Sequence, residues 1–179
     1  MNSVFYEGMI FDEYISKEEI AHMVQEVADR IAHDYQDKKP ILICVLHGAV
    51  FFLTDLMRAL PIDCTVATVH LQSYDGVAST GQVRENVPLQ TDIRDKDVIV
   101  VEDIVDTGVT LHYLKARLLA REPRSLKIAS LLFKPTELRY EDARPDYYGC
   151  EISKEFVIGY GLDLDGLARN LPEIYRLKK

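Results

Sequence analysis

Residues 98–110 read Val-Ile-Val-Val-Glu-Asp-Ile-Val-Asp-Thr-Gly-Val-Thr, and no other stretch limits the possible folds as tightly. Val98 to Val101 are apolar and β-branched without alternation, which predicts a strand buried on both faces. Two carboxylates, Glu102 and Asp103, follow at its end. A third, Asp106, opens a short loop with Thr107, Gly108 and Thr110. Leu111 to Arg121 then has helical spacing. A strand–loop–helix unit of this kind presents backbone N–H groups and hydroxyls to an anion at the helix start. Carboxylates beside it accept sugar hydroxyls or bind Mg²⁺. The combination suits a phosphorylated sugar. GxxxxGK[ST] and GxGxxG are both missing, which argues against a nucleoside triphosphatase loop and a dinucleotide site.

The flanking segments repeat the strand–helix alternation. Val4 to Phe11 reads as an edge strand. Ser16 with Glu19 three residues on forms a capping box, with Ile15 and Ile20 as a hydrophobic staple. Ile20, Val24, Val27, Ile31 and Tyr35 share one face of the helix that follows, which should end near Asp37, ahead of Pro40. Ile41 to Leu46 is a second run buried on both faces. His47-Gly48 makes a turn, and Ala49 to Leu60 a helix. Thr65 to Leu71 is a strand, and Gln72 to Thr91 a long loop of the sort usually functional or disordered. Leu126 to Phe133 and Phe156 to Tyr160 are strands, residues 134–155 are irregular, and Leu167 to Leu171 forms a helical turn. This order implies right-handed βαβ units and a mostly parallel sheet, with ligands outside the carboxyl ends of the strands. His47-Gly48, Glu102–Thr110 and Lys134 all fall at such ends and should converge on one crevice.

At 179 residues one domain is expected, and a formal charge of -8 disfavours unassisted binding to nucleic acid or an anionic membrane. Cys44, Cys64 and Cys150 show no metal or disulfide spacing. Cys44 lies in an apolar run as a small core residue, and a reducing, cytoplasmic location is expected. No apolar run is long enough to span a membrane, and no signal peptide is visible.

Val101 to Thr110 resembles the phosphoribosyl-pyrophosphate (PRPP) motif of type I phosphoribosyltransferases. Its form V-E-D-I-V-D-T-G-x-T is similar to that of the branch acting on 6-oxopurines, the hypoxanthine/guanine phosphoribosyltransferases. Further segments resemble that branch in its order: Leu46-His47-Gly48 the pyrophosphate loop, Ser73-Tyr74 with Ser79-Thr80-Gly81 the mobile loop, Leu131 to Pro135 the segment of the base-contacting lysine, and Glu155 to Asp163 the purine cover.

The resemblance implies an α/β fold, a central, mostly parallel, twisted sheet flanked by helices. A small hood from the N- and C-terminal segments would cover the purine, all in one domain of residues 1–179. It implies transfer of ribose 5-phosphate from PRPP to N9 of hypoxanthine or guanine, with Mg²⁺, in a homodimer or homotetramer. Glu102 and Asp103 would hold the ribose hydroxyls and Mg²⁺. Asp106, Thr107, Gly108, Val109 and Thr110 would cradle the 5′-phosphate, with Asp106 the acid/base at N7. Lys134 would donate to O6, so that adenine would face donor with donor. Phe156 would stack on the base and the main chain of Val157 would meet its edge. Asp163 would bind a second Mg²⁺ and Arg169 the pyrophosphate. Ser73 and Tyr74 would close over the centre and exclude water. The family's turn before Gly48 has a non-proline cis bond that aims N–H groups at pyrophosphate. The residue there is often basic, and here it is His47. If main-chain atoms bind, His47 is tolerable; if a fixed charge is needed, pyrophosphate binding should be weaker or pH-dependent. His22, His33, His70 and His112 show no ligand spacing.

Two rival readings fit parts of this pattern. Asp106-Thr107-Gly108 is also the aspartic-protease triplet, but those enzymes are all-β and need a second Asp. A PRPP-sensing regulator on the same fold would usually carry a basic face or an added domain.

Overall fold

The structure is a computed structural model that describes residues 2–73 and 83–178. A six-stranded sheet forms its centre. The chain lays down β1 (Ser3–Tyr6), β2 (Met9–Ile15), α1 (Lys17–Asp34), β3 (Ile41–Leu46), α2 (Val50–Ala59), β4 (Thr65–Ser73), β5 (Val83–Val87), β6 (Asp97–Val105), α3 (Val109–Leu119), β7 (Ser125–Phe133), β8 (Tyr147–Glu151), β9 (Val157–Ile158) and β10 (Ile174–Leu177). The central order is β5-β4-β3-β6-β7-β8. All neighbours are parallel except β4 and β5. The expected mostly parallel sheet is therefore present.

The unbroken apolar runs follow from this layering. In β3, Leu42 and Cys44 join the core under α1 and α2, whereas Ile41, Ile43 and Val45 join the core under α3. In β6, Ile99 and Val101 face the first layer and Val98 and Val100 the second. After β3 the chain crosses through α2 to β4 on one side; after β6 it crosses through α3 to β7 on the other. Right-handed crossovers in opposite directions put the two helices on opposite faces. The order thus reverses between β3 and β6, and their carboxyl-end loops flank a crevice at that switch point.

The hood is a second sheet, order β1-β2-β10-β9, antiparallel throughout. It packs Phe11, Ile158, Ala168 and Tyr175 into a small core of its own. The N-terminal segment is a hairpin rather than one strand from Val4 to Phe11. It turns at Glu7-Gly8, both at positive φ, as two-residue hairpin loops require. Phe5 and Ile10 are left exposed, which hid the alternation.

The α1 capping box forms as expected: the Glu19 N–H donates to Ser16 Oγ at 3.3 Å, and the Ser16 N–H donates to Glu19 Oε2 at 2.8 Å. The helix stops at Asp34, before the expected Asp37, because Asp37 takes a positive φ of 62°. Part of the expected loop 72–91 is β5, an edge strand on β4. Part of the supposedly irregular stretch 134–155 is β8, whose half-exposed residues lack a strand signature. Leu167 to Leu171 is not helical: Asp165, Gly166 and Ala168 have positive φ and Leu164 bridges Leu167 across a tight turn. β10 was not expected.

Candidate active site

The switch point opens into a crevice of about 360 Å³, lined by Val45, Leu46, Leu71, residues 102–111 and Asp163. Its acidic floor belongs to β6, which runs on through Glu102 and Asp103 to Val105 instead of ending at Val101. Pairing with β7 through Val105 holds this extension as strand. Both carboxyl groups line the crevice side by side. Burial and then the Asp103 charge push Glu102 well above the usual carboxylate range. Burial also raises Asp103, opposed by hydrogen bonds, among them the Ile104 N–H at 2.8 Å, and by the charge of Arg169. Beneath them the Cys44 thiol is pushed up to about 12 by burial and the same two acids. It is a core residue, as its apolar run implies.

The 106–110 loop enters α3 through Gly108, which is the N-cap at φ 76°. A Cβ there would press on Ala143 and Leu138 at 2.9 Å each, so both conformation and space call for glycine. No side chain caps α3, and the first hydrogen bond into Gly108 comes from the His112 N–H at 2.8 Å. The first-turn N–H groups of residues 109–111, which line the crevice, are thus left to an anion. The hydroxyls of Thr107 and Thr110 stand beside them.

Lys134 follows β7, next to the end of β6. Its Nζ donates to Asp106 Oδ2 at 2.9 Å, with the lysine side chain only 9% exposed. Residues far apart in sequence are thereby joined across adjacent parallel strands.

The loop after β9 closes the other wall. Arg169 pairs with Asp163 at 2.8 Å and donates to the Gly161 carbonyl at 2.6 Å. Asp163 also accepts from the Gly166 N–H at 2.7 Å. Gly161 lies at φ 99° and so close to the Gly48 carbonyl that a Cβ would overlap it. A Cβ on Gly48 would in turn overlap the Asp103 carboxylate. The 47–48 turn is thus wedged between the acidic floor and the C-terminal loop. The Leu46–His47 peptide bond is cis.

Arg169 and Lys134 reach the crevice through their bonds to Asp163 and Asp106 rather than as lining residues, and His47 stands beside it, between Leu46 and Gly48. Phe156 stands half-exposed at the hood edge, its ring 6.1 Å from Phe11, and Val157 is buried in β9. Ser73 ends β4; Tyr74 and the 79–81 segment lie outside the described residues. Sequence reasoning missed three neighbours. His70 places its ring 4.4 Å from that of His47, since Leu46 and His70 are in register on β3 and β4. Tyr160 donates to Asp55 at 2.6 Å. The alternation in β4 could have put His70 at the crevice end; nothing local marks the Tyr160–Asp55 pair.

An anion cradle, an acidic floor and a buried lysine–aspartate pair at one α/β switch point define a protein that handles a phosphorylated sugar. Comparison with known proteins narrows the class. Residues 10–165 match the phosphoribosyl transferase domain. A hypoxanthine-guanine-xanthine phosphoribosyltransferase of Tritrichomonas foetus is 39% identical over 164 residues, 92% of this chain and 90% of that protein. A solved hypoxanthine phosphoribosyltransferase from Staphylococcus aureus superposes with a TM-score of 0.89 at 35% identity, covering 93% of this chain and 91% of that one. A variant of the Trypanosoma cruzi enzyme, solved with the product IMP, gives 0.87 at 37% identity over 98% and 93%. The chain belongs to the phosphoribosyl transferase family.

Proposed function

We propose that this phosphoribosyltransferase serves purine salvage, moving ribose 5-phosphate from PRPP to N9 of hypoxanthine or guanine and releasing pyrophosphate with IMP or GMP. The Lys134–Asp106 pair carries the reading, because it sets a buried cation and a carboxylate side by side at the edge of the phosphate loop. A 6-oxopurine offers that pair its O6 acceptor and its N7. Asp106 takes the N7 proton as N9 attacks the anomeric carbon, and Lys134 turns from Asp106 to O6. The α3 N-terminus holds the 5′-phosphate. Arg169 and the N–H groups of the 47–48 turn meet the departing pyrophosphate. Ser73 and Tyr74 close over the centre. Phe156 and the Val157 main chain take the base.

Glu102 and Asp103 fit a divalent cation. Desolvation disfavours the charged form of both carboxyls, and the Asp103 charge raises Glu102 further, so a cation placed between them and a polyanion relieves the pair. Among the described residues no three His, Cys, Asp or Glu side chains gather to hold a metal alone. Mg²⁺ would therefore take further oxygens from the substrate, its usual habit, with Asp163 on the pyrophosphate side. When bound it supplies charge neutralisation at the leaving group.

The whole chain, 1–179, acts as one domain under this reading, in the cytoplasm, as a homodimer or homotetramer. No described helix is long and apolar enough to cross a membrane. The test is incubation with PRPP, Mg²⁺ and hypoxanthine, guanine, xanthine or adenine in turn, following nucleotide formation. Product from an oxopurine but not from adenine is expected. No nucleotide from any oxopurine would overturn the proposal.

A further inference from the structure

We infer that Tyr160 and Asp55 are a positioning pair that locks the C-terminal loop onto the pyrophosphate turn and so sets affinity for pyrophosphate; this rests on the function proposed above. Asp55 belongs to α2, which begins two residues after Gly48. Tyr160 immediately precedes Gly161, whose backbone lies against the Gly48 carbonyl. The Tyr160 hydroxyl donates to Asp55 Oδ2 at 2.6 Å, and the Phe51 ring sits 6.2 Å from the tyrosine ring. One bond therefore clamps the residue before Gly161 to the helix after Gly48. The carbonyl of Gly161 also receives Arg169, which holds Asp163. A chain of contacts thus runs from α2 to the groups that face pyrophosphate.

Tyr160 itself is buried, and its φ of 49° fits a loop held from outside. Burial and the Asp55 carboxylate both raise the tyrosine's pKa, so it stays a donor at working pH. Asp55 also lies 3.5 Å from Arg58, a partner on its own helix that does not reach the loop. The phosphate loop and Lys134 stand at the ends of β6 and β7, and Phe156 and Val157 are held by β10, through the Leu177 N–H on the Phe156 carbonyl and the Val157–Arg176 pairing; the Tyr160–Asp55 bond itself touches none of these groups. Loss of the clamp should therefore loosen pyrophosphate and leave a nucleoside monophosphate held as before.

The test uses Tyr160→Phe, Asp55→Leu, Asp55→Asn and the double variant Tyr160→Phe/Asp55→Leu in the full-length protein. Pyrophosphate with Mg²⁺ and IMP are titrated separately by calorimetry, and the KM for PRPP is compared with kcat. Tyr160→Phe and Asp55→Leu should each weaken pyrophosphate about tenfold, the scale of one hydrogen bond to a charged group. IMP affinity should stay within twofold, and the KM for PRPP should rise more than kcat falls. Asp55→Asn keeps an acceptor and should restore most of the affinity, and the double variant should be no worse than either single one. Equal loss of pyrophosphate and IMP binding, unchanged pyrophosphate binding, additive single effects, or Asp55→Asn as weak as Asp55→Leu would each overturn the inference. If the unaltered protein binds neither ligand, it is the proposed function that fails.

Discussion

Replacing Lys134 by methionine separates what this residue does for stability from what it does for the base. The methionine stem fills nearly the same space and removes only the ammonium. Breaking a buried ion pair costs about 3–5 kcal/mol when the surviving charge stays buried. Here the survivor is Asp106, whose side chain is 44% exposed, so water takes over much of the lost contact. The cost should fall to about 1 kcal/mol, close to that of an exposed pair. For a chain of this size that lowers Tm by about 2–4 °C. The base tells a different story. A 6-oxopurine loses its donor at O6, and an acceptor left unpaired in a closed site costs about 1–3 kcal/mol, a loss of roughly 10- to 100-fold in kcat/KM. Adenine gains nothing from Lys134, since its amino group would face another donor, and should lose nothing. The ratio of kcat/KM for hypoxanthine over adenine should thus shrink by at least about tenfold in a competitive assay, with a Tm change too small to explain it. A hypoxanthine kcat/KM within twofold of the unaltered enzyme would refute the reasoning.

Other variants probe the remaining groups. Asp106→Asn should lose roughly 10²-fold in turnover while PRPP still binds, because it removes the proton acceptor, and with it the charge that pairs with Lys134, but none of the N–H groups at the α3 start; single-turnover kinetics with a PRPP titration check both halves. Glu102→Gln should raise the Tm of the ligand-free protein, because it removes a carboxyl whose ionisation is opposed by burial and by the Asp103 charge, and should weaken Mg²⁺-dependent PRPP binding; a lower Tm measured without ligand would contradict this. His70 has its pKa lowered by burial and by His47, so the folded state favours the neutral ring. Its contribution is complete above the unfolded value of about 6.5 and is lost as pH falls through the folded value, since there the unfolded chain binds the extra proton. His70→Gln should accordingly flatten the decline of Tm between pH 7 and pH 5, and an unchanged slope would exclude the effect.

That the β6–α3 loop and Lys134 meet was largely legible in the sequence, and the physical reason is locality. Strand, anion loop and helix are contiguous in residues 98–119, and β7 ends at Phe133 in register with Val105, the last residue of β6, so that Lys134 follows beside Asp106. The alternation of elements then forced those ends to one side of the sheet. Edge elements were harder to read. Among the described residues β5 and β8 are the edge strands of the central sheet; β5 is mostly polar (Val-Arg-Glu-Asn-Val), and β8 (Tyr-Tyr-Gly-Cys-Glu) is broken by a glycine and set in a stretch rich in proline and charge, so neither stood out from loop. The hood was harder still. β9 and β10 have two and four residues, and their partner β2 comes from the other end of the chain. No local pattern encodes such a pairing. The positive φ values at Asp165 and Ala168 broke the helical turn expected near 167–171, at residues whose types gave no warning.

The two halves of the crevice are therefore secured by different means. The phosphate loop and Lys134 sit on neighbouring strands of one sheet, tied by a ladder that runs from Asp97 to Val105. The pyrophosphate turn depends instead on contact between the central sheet and the C-terminal loop, where Gly48, Gly161 and Asp103 leave no room for a methyl group. A ladder of backbone bonds resists small disturbances, because each bond is backed by its neighbours. A contact through two glycines has no such reserve, and its geometry rests on whatever holds the flanking elements. Substitutions far from the crevice, at α2 or in the hood, should therefore show up first in the handling of pyrophosphate and last in the handling of the nucleotide. That asymmetry follows from topology alone, since the strand tips at 105 and 133 are adjacent in the sheet while residues 48 and 161 meet only because a separate sheet brings them together.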